Sequence, residues 1–232
     1  MCLFVAAPFP VFRMTDVREN CRRILERIRA AAARSGRAAD AIKLIAVTKT
    51  VPAGRIREAV EAGIVHIGEN RLQEALPKRT ELRDLPLTWH FIGHLQTNKA
   101  KKVVENFDCV QCVDRPELAE KLNQAARTPL PVLIEVNVGG ESSKSGIDPS
   151  GLQAFVESFG GHARLRLRGL MAIPPFSENP EEVRPYFRKL RELSDRFGLS
   201  EVSMGMSHDF EVAVEEGATM VRIGTSLFGE RQ

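Results

Sequence analysis

The amino-acid sequence predicts a single (β/α)8 barrel, an α/β fold of the TIM type, with one extra helix in front of it. Three observations carry this. Short apolar runs recur eight times between residues 42 and 223. Amphipathic stretches of about ten to eighteen residues separate them, the rhythm of repeated βα units. No linker rich in Gly, Pro or Ser divides the 232 residues, a length that one barrel accommodates.

Residues 1–13 are apolar, contain two prolines and resemble nothing that follows, so they are read as an extension in front of a barrel domain spanning 14–232. They lack the basic start and small-residue cleavage site of a secretory signal, and a cytoplasmic location is expected. Thr15 and Asp16 are placed to cap a first helix whose positions Val17, Cys21, Ile24, Leu25 and Ile28 share a face, and Ser35-Gly36 ends it. The eight strands are then 42–48, 64–67, 88–92, 109–113, 132–138, 167–172, 201–204 and 220–223. Helices are expected to begin near Pro52, Glu69, Thr97, Pro116, Pro149, Pro180 and His208, with a short last one after Thr225. Proline near the start of four of them fits the first helical turn, where its missing N–H costs nothing. Eight strands, each followed by a helix, favour a closed barrel over an open doubly wound sheet.

A hydrophobic fraction of 43% and a charged fraction of 27% are those of a globular protein and exclude collagen-like and disordered classes. No apolar run approaches the roughly 18 residues that span a bilayer. The net charge of +3 comes from Lys and Arg interspersed with Asp and Glu, without basic runs, so no nucleic-acid partner is expected. The four cysteines, Cys2, Cys21, Cys109 and Cys112, are too few and too irregular for a disulfide framework, which points to a reducing compartment. Cys109 and Cys112 have zinc-like spacing. They lie in an apolar run without a second ligand pair, however, and a strand would put their sulfurs on opposite faces, so core cysteines are preferred and no metal is expected.

In a barrel of this type the chemistry sits at the C-terminal ends of the strands. The first strand ends in Thr48-Lys49-Thr50, and Lys49 shares a face with Ile45 and Val47. If that face is the interior, Lys49 points into the mouth; the bland alternative is a lysine snorkelling from the rim. The seventh strand runs into Ser203-Met204-Gly205-Met206-Ser207 and the eighth into Arg222-Ile223-Gly224-Thr225-Ser226. Loops after these two strands form the recurrent phosphate site of the architecture. Gly224 lets backbone approach a phosphate, and Ser207, Thr225 and Ser226 supply hydroxyls and helix-start N–H groups. Val221 and Ile223 face the helices, which turns Arg222 inward, where it needs an acceptor. Glu135 and an acceptor atom of a ligand are equal alternatives. A mouth lysine opposite a phosphate cradle describes a site for a phosphorylated aldehyde held as a Schiff base, the way pyridoxal 5′-phosphate is usually held.

These residues resemble the pyridoxal phosphate homeostasis proteins, the YggS-like or PROSC-like family. The matching stretches are Ile45-Ala46-Val47-Thr48-Lys49-Thr50, Gly68-Glu69-Asn70 through Gln73-Glu74, Trp89-His90-Phe91-Ile92-Gly93 through Lys99, Ser143-Lys144-Ser145-Gly146, Arg168-Gly169-Leu170-Met171-Ala172-Ile173-Pro174, 203–207 and 221–225. The resemblance implies a barrel like the N-terminal domain of alanine racemase, with the Schiff base at Lys49. It further implies phosphate contacts from Ser207, Gly224 and Thr225, and Arg222 directed at the pyridine nitrogen. Asn70 and His90 fall where the family lines the cofactor pocket, and Met206 is counted with them; Lys144 is an accessory lysine. Val51 and Arg71 depart from the family, which often has a lysine and a tyrosine at these places.

The preferred function is therefore a cofactor carrier that buffers pyridoxal phosphate and delivers it to dependent apoenzymes, without an established catalytic reaction and as a monomer. The rival reading is an amino acid racemase. That chemistry needs a second proton donor, a tyrosine from a C-terminal β-domain in that family, and the single tyrosine here, Tyr186, falls in the helical stretch after the sixth strand. A third reading, a phosphate-binding barrel without Schiff-base chemistry, leaves Lys49 unexplained.

Overall fold

The structure, a computed structural model, describes residues 16–141 and 144–229. The extension at 1–13, Thr15 of the first cap, Cys2 and Ser143 lie outside the described residues. Eight parallel strands, β1 (Lys43–Val47), β2 (His66–Glu69), β3 (Thr88–Phe91), β4 (Cys109–Val113), β5 (Leu130–Glu135), β6 (Leu165–Met171), β7 (Glu201–Ser203) and β8 (Met220–Ile223), close into a barrel in chain order. The seam is the pairing of β1 with β8, from Lys43 opposite Met220 to Ala46 opposite Ile223. Helix α1 (Val17–Arg34) precedes the barrel. The outer layer is α2 (Ala53–Glu61), α3 (Leu72–Glu81), α4 (Ala100–Val104), α5 (Pro116–Ala125), α6 (Leu152–Ser158), α7 (Arg184–Arg196), α8 (Phe210–Glu215) and α9 (Thr225–Phe228).

β4, enclosed by helices outside and side chains inside, is buried at every position. The helices bury one stripe each, such as Leu118, Ala119 and Leu122 of α5. In α1, the Asp16 carboxylate accepts the Arg18 N–H at 2.9 Å and the Glu19 N–H at 3.3 Å, satisfying the first turn. The buried face of α1, Val17, Cys21, Ile24 and Ile28, packs on α2, α8 and α9, and Asn20 Nδ2 donates to the Leu227 carbonyl at 3.0 Å. The extra helix thus braces the seam where the barrel closes, one turn from the loop after β8.

The bounds of β4 and β8 coincide with the sequence expectation. β5 does not: it starts two residues early and ends at Glu135, because Val136 and Val138, buried and apolar, leave the ladder and Val136 forms an isolated bridge with Ile147. Apolarity marks burial, not pairing. β2 likewise runs through the buried charge of Glu69, where the sequence suggested a stop at Ile67. Gly169 is fixed by packing, since a Cβ there would lie 1.7 Å from the Glu201 carbonyl oxygen across the β6/β7 ladder.

Candidate functional site

Lys49 follows β1 at the barrel mouth and is half-buried, between two anchored threonines. Before it, Thr48 is buried and its Oγ1 donates to Glu69 Oε1 at 2.6 Å. Lys78 Nζ of α3 donates to the Thr48 carbonyl at 2.6 Å and pairs with Glu69 Oε1 at 2.7 Å. After it, Thr50 has a φ of 63°, and its N–H donates to Glu74 Oε2 at 3.1 Å. A β-branched residue in the left-handed region is strained, and such strain is tolerated where its neighbours over-determine it. Lys49 is the residue whose placement this arrangement secures.

The loops after β7 and β8 meet beside it. The Ser226 N–H donates to Ser207 Oγ at 3.2 Å and Ser226 Oγ donates to the Ser207 carbonyl at 3.3 Å. Met206, exposed on the rim, donates its N–H to Asp209 Oδ1 at 2.6 Å. Thr225 is exposed in the first turn of α9. Gly224 has a φ of −117°, and a Cβ there would stand in ordinary contact, 3.4 Å, with Val47. Neither conformation nor crowding within the protein demands glycine at this point. What glycine provides is bare backbone on the loop that faces the strand carrying Lys49.

Arg222 is 3% exposed and turned inward, as expected. Its acceptors are Ser203 Oγ at 2.7 Å and the Ala172 carbonyl at 2.8 Å. Glu135 contributes charge but is not among its hydrogen-bond partners. Burial lowers the guanidinium to about 10, which leaves it charged at neutral pH. Glu135 itself, at the end of β5, is raised to about 7 by burial and by Asp114, with Arg222 opposing.

His90 lies inside the barrel rather than on the rim: its Nε2 is 3.2 Å from His66 Nδ1 and its Nδ1 is 3.0 Å from Gln111 Nε2. Both ring nitrogens are engaged within the protein. Asn70 follows β2 with a buried Oδ1 that has no partner among the described residues, and it borders a cleft of about 300 Å³ with Arg71, Gly93 and His94. Lys144 is ion-paired with Glu141 and donates to the Pro174 carbonyl at 3.2 Å, joining the loop after β5 to the loop after β6. A larger cleft, about 490 Å³, lies between α4 and α5 in the outer layer and contains none of these residues.

Lys49, Ser207, Met206, Gly224, Thr225 and Arg222 therefore come from the contiguous strands β7, β8 and β1, and Asn70 from neighbouring β2. Gln111, Ser203, Thr48, Glu69 and Lys78 support them and were not singled out from sequence. The available signal for Gln111 was a polar residue inside an otherwise apolar buried strand. Cys109 and Cys112 are buried, unpaired thiols; burial pushes Cys109 up to about 12 and Cys112 well above the ordinary range, so they are inert core residues. Among the described residues no cluster of three or more His, Cys, Asp or Glu is arranged to hold a metal ion, and no helix is long and apolar enough to cross a membrane.

Comparison with known proteins bears on this geometry. The family model for the alanine racemase N-terminal domain matches residues 20–232. The pyridoxal phosphate homeostasis protein of Aquifex aeolicus is 50% identical over 223 residues, covering 92% of this chain and 98% of the relative. PipY of Synechococcus elongatus, solved with PLP bound, is 41% identical with a TM-score of 0.78 over 89% of this chain and 100% of PipY. An alanine racemase of Clostridium difficile shares the fold alone, at 16% identity and a TM-score of 0.67 over 92% of this chain and 57% of the racemase. The chain belongs to the pyridoxal phosphate homeostasis protein family, built on the barrel of the alanine racemase N-terminal domain.

Proposed function

We propose that this protein binds pyridoxal 5′-phosphate as a Schiff base on Lys49 and serves as a carrier that buffers the cofactor and delivers it to dependent apoenzymes. The observation that carries the reading is the position of Lys49, held between buried Thr48 and strained Thr50 at the end of β1, on the side of the barrel where Gly224 offers bare backbone and Ser207 is tied to Ser226. The donor set fits the group. A phosphate dianion calls for hydroxyls and N–H groups, which Ser207, Thr225 and Ser226 supply, and a pyridine nitrogen calls for a donor, which Arg222 supplies without being able to accept. When bound, the cofactor supplies an electrophilic aldehyde that an amine captures reversibly. Met206 and Asn70 border the pocket, His90 supports it from within the barrel, and Lys144 is the accessory lysine on the loop after β5.

A carrier needs capture and release rather than turnover, and a single lysine with a phosphate cradle provides both. We place the protein in the cytoplasm, in keeping with the unpaired, buried thiols of Cys21, Cys109 and Cys112, and read it as a monomer. Incubation with pyridoxal phosphate should turn the protein yellow. Borohydride reduction followed by peptide mass spectrometry should then find the adduct on Lys49. A protein that stays colourless, or an adduct confined to other lysines, overturns the reading.

A further inference from the structure

Barrel cores of this type are ordinarily filled with branched apolar side chains, yet a line of polar groups crosses this one. Arg222 of β8 donates to Ser203 Oγ of β7 at 2.7 Å, and Ser203 donates to Gln111 Oε1 of β4 at 2.7 Å. Gln111 Nε2 lies 3.0 Å from His90 Nδ1 of β3 and 3.5 Å from Met220 Sδ, and His90 Nε2 lies 3.2 Å from His66 Nδ1 of β2. His90, Gln111, Ser203 and Arg222 are buried; His66, the first residue of β2, is half-buried. Five strands thus contribute one polar side chain each to a single path from the N-terminal end of the barrel to the mouth.

The guanidinium sets the direction of every bond. Arginine has donors only, so Ser203 Oγ accepts from it and sends its own proton to the Gln111 carbonyl. That fixes the amide, whose N–H groups then face His90 Nδ1 and Met220 Sδ. His90 accepts at Nδ1, carries its proton on Nε2 and offers it to His66 Nδ1, so both imidazoles are neutral. Burial acts in the same sense, holding His90 down at about 3 and His66 below its ordinary value. Two of the five guanidinium donors are used on Ser203 and Ala172, which leaves three.

We propose that Gln111 is a positioning residue which, through Ser203 and against the neutral His90–His66 pair, holds Arg222 so that its remaining N–H groups face the barrel mouth and meet the ring nitrogen of the bound cofactor. The inference rests on the pyridoxal phosphate reading above. Its consequence is that this nitrogen is kept unprotonated from a distance, by an amide on β4 that does not touch the ligand.

Two measurements on the full chain test it. The first needs no cofactor: nitrogen-15 spectra of the imidazoles should show His66 and His90 neutral with the proton on Nε2. In Gln111→Glu the carboxylate still accepts from Ser203 but has nothing to donate, so His90 should gain a second proton and give an imidazolium signal. A proton on His90 Nδ1 in the parent, or an unchanged neutral His90 in Gln111→Glu, overturns the chain of bonds. The second uses pyridoxal phosphate labelled at the ring nitrogen. Parent and Gln111→Glu should give the same unprotonated, hydrogen-bonded resonance. Gln111→Leu should shift it and weaken retention roughly ten-fold, while borohydride still fixes the cofactor to Lys49. An unshifted resonance with unchanged retention in Gln111→Leu overturns the positioning role. Failure of the parent to take up pyridoxal phosphate overturns the cofactor reading and this role with it, and the first measurement tells that failure from a failure of the chain of bonds.

Discussion

Thr48 and Glu69 are joined by a 2.6 Å hydrogen bond between the ends of neighbouring strands, one residue before Lys49, and Lys78 closes the triangle at 2.7 Å from the same carboxylate oxygen. Glu69 is fully buried and the Lys78 side chain is 12% exposed, so removing the cation strands a buried carboxylate. Lys78→Met is expected to cost about 3 kcal/mol, the range found when one partner of a buried pair is deleted. Lys78→Met/Glu69→Leu should recover part of that loss, because no charge is then left unpaired. Urea unfolding of the three chains checks both statements; a Lys78→Met within about 0.5 kcal/mol of the parent would show that the pair does not brace the lysine strand.

That triangle also marks the limit of what the sequence discloses. Eight strands, the helix in front and the loops after β7 and β8 were legible because each rests on local periodicity and on turn chemistry within a few residues. The places of Lys49, Gly224 and Thr225 at strand ends were legible because they follow from the same periodicity. Lys78 bonding Thr48, or Gln111 bonding Ser203 across 92 residues of chain, leaves no such trace. Each is one polar residue on its own element, and only closure of the barrel brings the members together. For His90, sequence position suggested the pocket, whereas its side chain points to Gln111 and His66 deeper in the barrel.

At the proposed phosphate cradle, Ser207→Ala and Thr225→Ala each remove one hydroxyl that can serve an anion. Ser207→Ala also removes the acceptor of the Ser226 N–H, so it should be the more damaging of the two. A charge-assisted hydrogen bond is worth on the order of 1.5–3 kcal/mol, which is roughly ten- to a hundred-fold in cofactor affinity. Equilibrium dialysis against pyridoxal phosphate measures it, with borohydride trapping at saturation to show that Lys49 remains reactive. Parental affinity in both variants would move the phosphate to another part of the mouth.

Glu135 gives stability a pH dependence whose sign is fixed by its environment. Burial raises the folded carboxyl to about 7, whereas an unfolded glutamate titrates near ~4.3. Between these values the folded chain holds a proton that the unfolded chain releases. The contribution is full below the unfolded value and is lost as pH rises through the folded one. Glu135→Gln removes the titration, so the variant should gain on the parent by about 3 kcal/mol between pH ~4 and pH ~8. Denaturation curves across that interval should diverge in this direction, and parallel curves would mean that Glu135 ionises like an exposed carboxylate.

Racemisation separates a carrier from an enzyme on this barrel. It requires a proton to leave one face of the amino acid α-carbon and another to arrive on the opposite face, so two acid–base groups must flank the bound substrate. On the proposed reading Lys49 would serve one face once its own bond to the cofactor is exchanged. The single tyrosine of the chain, Tyr186, sits in α7 of the outer layer and packs against the core. Arg222, in the role proposed for it at the pyridine nitrogen, would disfavour protonation of the ring and so weaken it as an electron sink. L-Alanine is therefore expected to perturb the visible spectrum of the loaded protein without yielding D-alanine above the rate of free cofactor, and with little exchange of the α-proton in heavy water. Chiral chromatography and NMR measure the two quantities directly. Turnover of order ~1 per second, ordinary for an enzyme, would overturn the carrier reading and make Glu135, the mouth carboxyl raised to about 7, the first residue to test as the second base.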